Sequence, residues 1–125
     1  MAGYAMLQGK KWAYPMKSLA IIIGRAASEE DKEAMKENEE LVWHVDLEIN
    51  SAIDISRQQA FIAYNFQKEQ FEIKNLSENN EIYVNGKTVK HEHLAAPLDS
   101  SDLIQIGTED FVFLLPMESR KVNAK

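Results

Sequence analysis

Over much of the chain the residues change character every second position, the period of a β-strand with one buried face. Ala60, Ile62 and Tyr64 alternate with Phe61 and Ala63, and Phe71 and Ile73 stand between Glu72 and Lys74, which predicts a hairpin turning at Gln67-Lys68-Glu69. Trp43, Val45 and Leu47 alternate with His44, Asp46 and Glu48 in a run that begins at Leu41 and predicts a half-buried strand, with Trp43 in the core. Residues 19–23 are an unbroken apolar run ending in three isoleucines, which predicts a strand buried on both faces and stopped by Gly24. Near the start, Tyr4-Ala5-Met6-Leu7 and Trp12-Ala13-Tyr14-Pro15 flank a polar turn at Gln8-Gly9-Lys10, a first hairpin or edge ribbon in which Pro15 demands an edge or a strand end. Asn85-Gly86 carries the strongest hairpin signal, because both central positions of a type I′ turn need positive φ, and it joins residues 82–84 to 87–89. Residues 97–102 read as a polar connection, 103–106 as a short strand, 107–110 as a tight turn and 111–115 as the last strand, with Phe111 and Phe113 in the core. About ten short strands, with turns about every 8 to 12 residues and hardly any helix, describe an all-β sandwich.

One segment breaks the alternation. Residues 28–40 hold seven acids (Glu29, Glu30, Asp31, Glu33, Glu37, Glu39, Glu40) and two lysines, a local charge of −5 out of a chain total of −6. Ser28 followed by Asp31 predicts the cap of a short helix through Ala34, Met35 and Lys36; a mobile acidic insertion loop is the equal alternative. Ser28-Glu29-Glu30-Asp31 also has the form of an acid-directed kinase site, but helix capping is the preferred reading of that serine. The acidity argues against a duplex-DNA surface made by this domain alone. At 125 residues and 45% hydrophobic the chain is long enough for one domain with a core and short for two. It lacks cysteine, which excludes disulfides and thiolate metal sites and suits an intracellular, reducing compartment. Its apolar runs are far shorter than the roughly 20 residues of a membrane span, and a secretory pattern is missing at the start, so no membrane is expected.

The candidate chemistry gathers around Asp54-Ile55-Ser56-Arg57-Gln58-Gln59-Ala60, in a turn between two β-patterned runs. A serine beside an arginine there can present a hydroxyl, a guanidinium and backbone N–H groups to one anion, phosphate above all. Upstream, Ile21-Ile22-Ile23-Gly24-Arg25 ends a strand in Gly-Arg, and downstream Asn79-Asn80 and Asn85-Gly86 occupy further turns, so these groups are expected to converge at one end of the sandwich. His91-Glu92-His93 places two imidazoles on one strand face, but third and fourth ligands are not suggested nearby and surface histidines, not a metal site, are expected. Neither a serine, histidine and acid arrangement nor a glycine-rich nucleotide loop is recognisable, so neither an enzyme nor a cofactor is expected.

Taken in order, Ile23-Gly24-Arg25, Val45-Asp46-Leu47, Ile55-Ser56-Arg57-Gln58-Gln59-Ala60, Phe71-Glu72-Ile73, Asn80 with Tyr83-Val84-Asn85-Gly86, and Ile104-Gln105-Ile106-Gly107 resemble a forkhead-associated (FHA) domain. Tyr4-Ala5-Met6-Leu7, Tyr64-Asn65-Phe66 and Phe111-Val112-Phe113-Leu114-Leu115-Pro116 resemble the subgroup found in forkhead transcription factors. The resemblance implies an FHA-type β-sandwich of about eleven strands in two sheets over residues 1–116, followed by a frayed polar tail, 117–125. It implies that loops at one end bind a phosphothreonine-containing segment of a partner protein. Arg25 would meet the phosphate with its planar fork of donors, Ser56 would donate its hydroxyl, and Arg57 would add a second cation. Asn79 lies where the family often has threonine or serine beside the phosphate, and Asn80 would hold the partner backbone just past it, with an amide that both donates and accepts. Gly24, Gln59, Asn85 and Gly86 would support the loops.

Two positions depart from the family pattern: Gln59 replaces its usual histidine and Glu81 its usual glycine. Gln59 can supply a donor and an acceptor at similar reach, and Glu81 would repel phosphate only if it pointed inward. The expected function is phosphothreonine recognition in a nuclear transcription regulator, with the DNA-binding region outside this chain. The alternative is a phosphate-independent interaction scaffold with an eroded site.

Overall fold

The computed structural model describes residues 3–41, 44–50 and 55–116. Trp43, Asp54 and the tail 117–125 therefore lie outside the described residues. In chain order the strands are β1 (Ala5–Gly9), β2 (Ala13–Met16), β3 (Ala20–Arg25), β4 (Leu47–Asn50), β5 (Ala60–Asn65), β6 (Gln70–Asn75), β7 (Ile82–Val84), β8 (Lys87–Val89), β9 (Ala96–Leu98), β10 (Asp102–Ile106) and β11 (Glu109–Leu114). Among the described residues one α-helix, α1 (Glu29–Glu37), and one 3-10 turn, at Glu39–Leu41, interrupt them. The strands form two sheets, ordered β2-β1-β11-β10-β7-β8 and β4-β3-β5-β6-β9, and the all-β sandwich expected from the alternation is the fold observed.

The period of two becomes packing directly. Leu7, Ile104, Ile106, Phe111 and Phe113 from the first sheet face Ile21, Ile23, Ile62, Phe71 and Ile73 from the second, all of them buried. Each such side chain contributes about 1.5–3 kcal/mol of burial. Phe71 meets Phe113 edge-on across the two sheets, with centroids 5.4 Å apart. Pro15 lies in β2, the edge strand where a missing N–H breaks no ladder.

Several expectations need correction. The run read as β from Leu41 starts as a 3-10 turn, and β4 opens only at Leu47. The alternation upstream of Leu47 does other work: Asp46 leaves the ladder to accept the Ile22 N–H through Oδ2 at 2.7 Å and to donate its own N–H to the Ile22 carbonyl at 2.8 Å. Accordingly β3 is buried on one face rather than two, with Ile21 and Ile23 in the core, Ala20 exposed and Ile22 half-buried. Nor does Gly24 stop β3, which runs on to Arg25. Within the supposed polar connection, Ala96–Leu98 forms β9, an edge strand paired with β6 in which Pro97 faces Glu72. Residues 91–93 are a turn, not a strand.

Of the two forms open to residues 28–40, the helix is present. Ser28 Oγ accepts the Asp31 N–H at 3.1 Å and Asp31 Oδ2 accepts the Ser28 N–H at 3.0 Å, a reciprocal cap with acids against the positive end of the dipole. The helix buries none of its residues, so caps and surface charge pairs hold it rather than core contacts.

The register gathers three loops at one rim. Ile23 pairs with Ala60 and Ala60 with Asn75, so the end of β3, the start of β5 and the end of β6 lie side by side. Arg25, the turn holding Ser56, and residues 76–80 leave the sandwich there.

Candidate functional site

At this rim the three segments line an open depression of about 650 Å³ whose walls include Arg25, Ser56, Arg57, Ser77, Glu78, Asn79 and Asn80. Its chemistry follows from counting hydrogen bonds on two hydroxyls. Each serine oxygen has two acceptor positions and one proton. Ser77 Oγ accepts the backbone N–H groups of Asn79 at 3.1 Å and Asn80 at 3.0 Å, which fills its acceptor positions and commits its proton to Ser56 Oγ at 2.7 Å. Ser56 Oγ accepts that proton and a second from Asn80 Nδ2 at 2.9 Å. That count leaves the proton of Ser56 Oγ over, on a side chain that lines the depression.

Beneath the rim a second network fixes the loop. Gln59 is fully buried; its Oε1 accepts the Ser56 N–H at 2.9 Å, and its Nε2 donates to Asn75 Oδ1 at 3.1 Å and to the Asn80 carbonyl at 3.2 Å. Asn75, buried as deeply, donates through Nδ2 to the carbonyls of Asn80 and Val89, both at 2.9 Å, and accepts the Ser77 N–H at 2.9 Å. One glutamine thus ties Ser56 to the segment that carries Asn80. The close approach behind it requires Gly24, because a Cβ there would collide with the Arg57 carbonyl.

Arg25 closes the rim from β3. Its N–H donates to the Ser56 carbonyl at 3.0 Å, and its guanidinium Nη2 lies 4.0 Å from Asp31 Oδ2, at the start of α1. The Ser28 backbone N–H, then the Ser28 hydroxyl, and with smaller effect the charges of Arg25 and Arg57 hold the Asp31 carboxyl below the usual carboxylate range. Arg57 and Asn79 are exposed on the wall, and Glu78 points toward His91 Nε2 at 3.8 Å. Glu81 is absent from the depression; its Oε2 accepts the Tyr83 hydroxyl at 3.3 Å.

Arg25, Ser56, Arg57, Asn79 and Asn80 are therefore brought together, with Gly24 and Gln59 behind them. Asn85 and Gly86 are not. They lie at the far end of β7, in the positive-φ turn foreseen for them (φ 52 and 81), where Asn85 binds Asp102 and the Leu103 N–H instead. Sequence reasoning passed over Ser77 and Asn75. The available signal was local: a serine two and three residues ahead of Asn79 and Asn80, poised to accept their N–H groups as such serines do in turns. The His91-Glu92-His93 pair occupies the 91–93 turn, and among the described residues no group of three or more metal-ligating side chains forms.

A family model described as FHA domain matches residues 21–107. The chain is 35% identical over 94% of its length to the transcriptional activator FHA1 of Nicotiana tabacum, and covers 51% of that protein. It is 36% identical over 94% of its length to the FHA domain-containing protein FHA2 of Arabidopsis thaliana, covering 33% of it. The chain thus spans about half or less of these relatives. Among solved structures, EmbR of Mycobacterium tuberculosis in complex with a low-affinity phosphopeptide superposes with a TM-score of 0.66 at 21% identity, over 92% of this chain and 26% of that one. The MEK1 FHA domain in complex with a phosphothreonine peptide of HOP1 gives 0.65 at 20% identity, over 91% of this chain and 98% of that one. At these identities the structures establish the fold alone.

Proposed function

The chain belongs to the FHA domain family, and from that premise we propose that it reads phosphothreonine in an extended segment of a partner protein. The observation that carries this reading is the Ser56 hydroxyl, whose acceptor positions are taken by Ser77 and Asn80, on the wall of a depression that Arg25 also lines. A phosphate oxygen is an acceptor fit for both donors. Arg57 adds positive charge to the same wall, and Asn80, aligned through Ser56 and Ser77, presents the rest of its amide to the partner backbone. The two departures from the family pattern do not count against the site: Gln59 has three hydrogen bonds that brace the loop, and the Glu81 carboxylate is engaged by Tyr83. The phosphopeptides bound to neighbours of the same fold support the ligand class.

In this reading the chain is a binding module rather than an enzyme. The plant activator and the fork-head transcriptional regulator FHL1 of Candida albicans, 32% identical over 93% of this chain and 9% of that protein, support a place in a nuclear transcription regulator whose DNA contacts are made elsewhere. The second reading, a phosphate-independent scaffold, is favoured by one observation: Arg25 already faces a carboxylate. A degenerate phosphothreonine peptide library and its unphosphorylated twin separate the two. Selective capture from the phosphorylated library is expected, and equal capture from both would leave the scaffold.

A further inference from the structure

We propose that Asp31 is a resident counter-ligand of Arg25, a carboxylate of the protein's own that an incoming phosphate has to displace or bind against. This rests on the phosphothreonine reading and assigns that site a built-in regulator of affinity. Its position is imposed rather than incidental. Asp31 Oδ2 accepts the Ser28 N–H at 3.0 Å, and the Asp31 N–H is held by Ser28 Oγ at 3.1 Å, so the carboxylate is locked into the helix cap from both sides. The same Oδ2 lies 4.0 Å from Arg25 Nη2, and each side chain is one-fifth exposed. That separation is an ion pair without a hydrogen bond, leaving the guanidinium's donors available while its charge is partly answered. The resident also stays charged wherever a phosphate is a dianion, since the cap keeps its carboxyl acidic.

The sign of the effect follows from charge alone. Bound phosphate loses part of the attraction of Arg25 to Asp31 and is repelled by Asp31 itself, so the carboxylate lowers affinity twice over. A residue that merely steered the guanidinium would raise it. The capping geometry makes the distinction testable, because asparagine retains an oxygen for the Ser28 N–H while removing the charge, and glutamate, the usual partner in a capping box, retains both.

The probe is a phosphothreonine peptide selected from the degenerate library, with its unphosphorylated twin, titrated calorimetrically into the whole chain. Asp31→Asn is expected to bind the phosphopeptide about two- to fivefold more tightly than wild type, the factor appropriate to a partly exposed pair. That gain should shrink toward unity between about 0.1 and about 1 M salt, as the screening length falls from about 10 to about 3 Å. Asp31→Glu is expected to match wild type. Ser28→Ala, which removes the hydroxyl but keeps both the charge and the backbone N–H that holds Asp31 Oδ2, is expected to show no salt-sensitive gain. Unchanged or weaker binding by Asp31→Asn, or a gain shared by Ser28→Ala, would overturn the counter-ligand. Should wild type bind neither peptide of any selected pair, the phosphothreonine reading itself falls and the counter-ligand with it.

Discussion

Truncating Gln59 to alanine puts the bracing network to the test. Gln59→Ala removes one acceptor and two donor contacts, but their losses are unequal. Asn75 Oδ1 keeps the Ser77 N–H and the Asn80 carbonyl keeps Asn75 Nδ2, whereas the Ser56 N–H loses the acceptor that holds it. One buried donor left unsatisfied costs about 1–3 kcal/mol. The void left by the missing amide adds about 1 kcal/mol if it stays unfilled. A loss of roughly 2–4 kcal/mol in a chain of this size lowers the melting temperature by on the order of 10 °C. Thermal unfolding of the free protein measures this without a ligand, and phosphopeptide titration should show the affinity falling in parallel, as Ser56 loses its fixed orientation. Gln59→His, with a ring acceptor for the Ser56 N–H and a ring donor for Asn75 or Asn80, is expected to restore both to near wild type. A Gln59→Ala protein that melted within about 2 °C of wild type and bound equally well would refute the reasoning, because the loop would then be ordered by something other than this glutamine.

Arg25→Ala should weaken phosphopeptide binding by on the order of ten- to a hundredfold, since a hydrogen bond to a charged group contributes roughly 1.5–3 kcal/mol, and calorimetric titration reads the change directly. For wild type, affinity should fall on acidification through about pH 6, where the phosphate dianion takes up a proton. Gly24→Ala is expected to destabilise more than any surface change, because the new methyl group meets the Arg57 carbonyl, part of the backbone, and a thermal scan within a few degrees of wild type would contradict it. Replacing residues 28–40 by a short neutral linker should leave the melting temperature nearly unchanged, because α1 buries nothing; a drop of tens of degrees would mean that the segment carries part of the core.

The fold was legible where one face of a strand decides burial. Alternation in 60–64 and 70–74 and the Asn85-Gly86 turn lead to β5, β6, β7 and β8 with little displacement, because local pattern and tertiary burial agree there. Pattern misled where a polar residue works for the backbone of a neighbour. Val45 and Leu47 keep the period of a strand, but Asp46 between them is spent on the two backbone groups of Ile22, so the ladder waits for Leu47. β9 was hidden for the opposite reason: three residues containing a proline carry almost no strand signal, and only the open edge of β6 calls them into the sheet. In the site, Arg25, Ser56 and Asn80 were visible as residue types that suit an anion. For Ser77 the local turn pattern ahead of Asn79 and Asn80 was a signal, but its bond to Ser56 across 21 residues, like that of Asn75 to Val89 across 14, has no mark in the local pattern.

Support at this rim comes from the inward-facing groups of the same few residues that line the depression. Ser56 turns its N–H inward to Gln59 and gives its carbonyl to the Arg25 N–H, so that its hydroxyl is the group not spent on the backbone. Asn80 likewise commits its carbonyl to Gln59 and Asn75, its N–H to Ser77 and its Nδ2 to Ser56. Because the backbone groups are already satisfied within the protein, an incoming ligand need not order them, and the entropy of shaping the site is spent at folding rather than at binding. At the inward position Gln59 supplies one acceptor, to the Ser56 N–H, and a donor, to Asn75 and the Asn80 carbonyl, a set of roles that a carboxamide can fill by geometry alone.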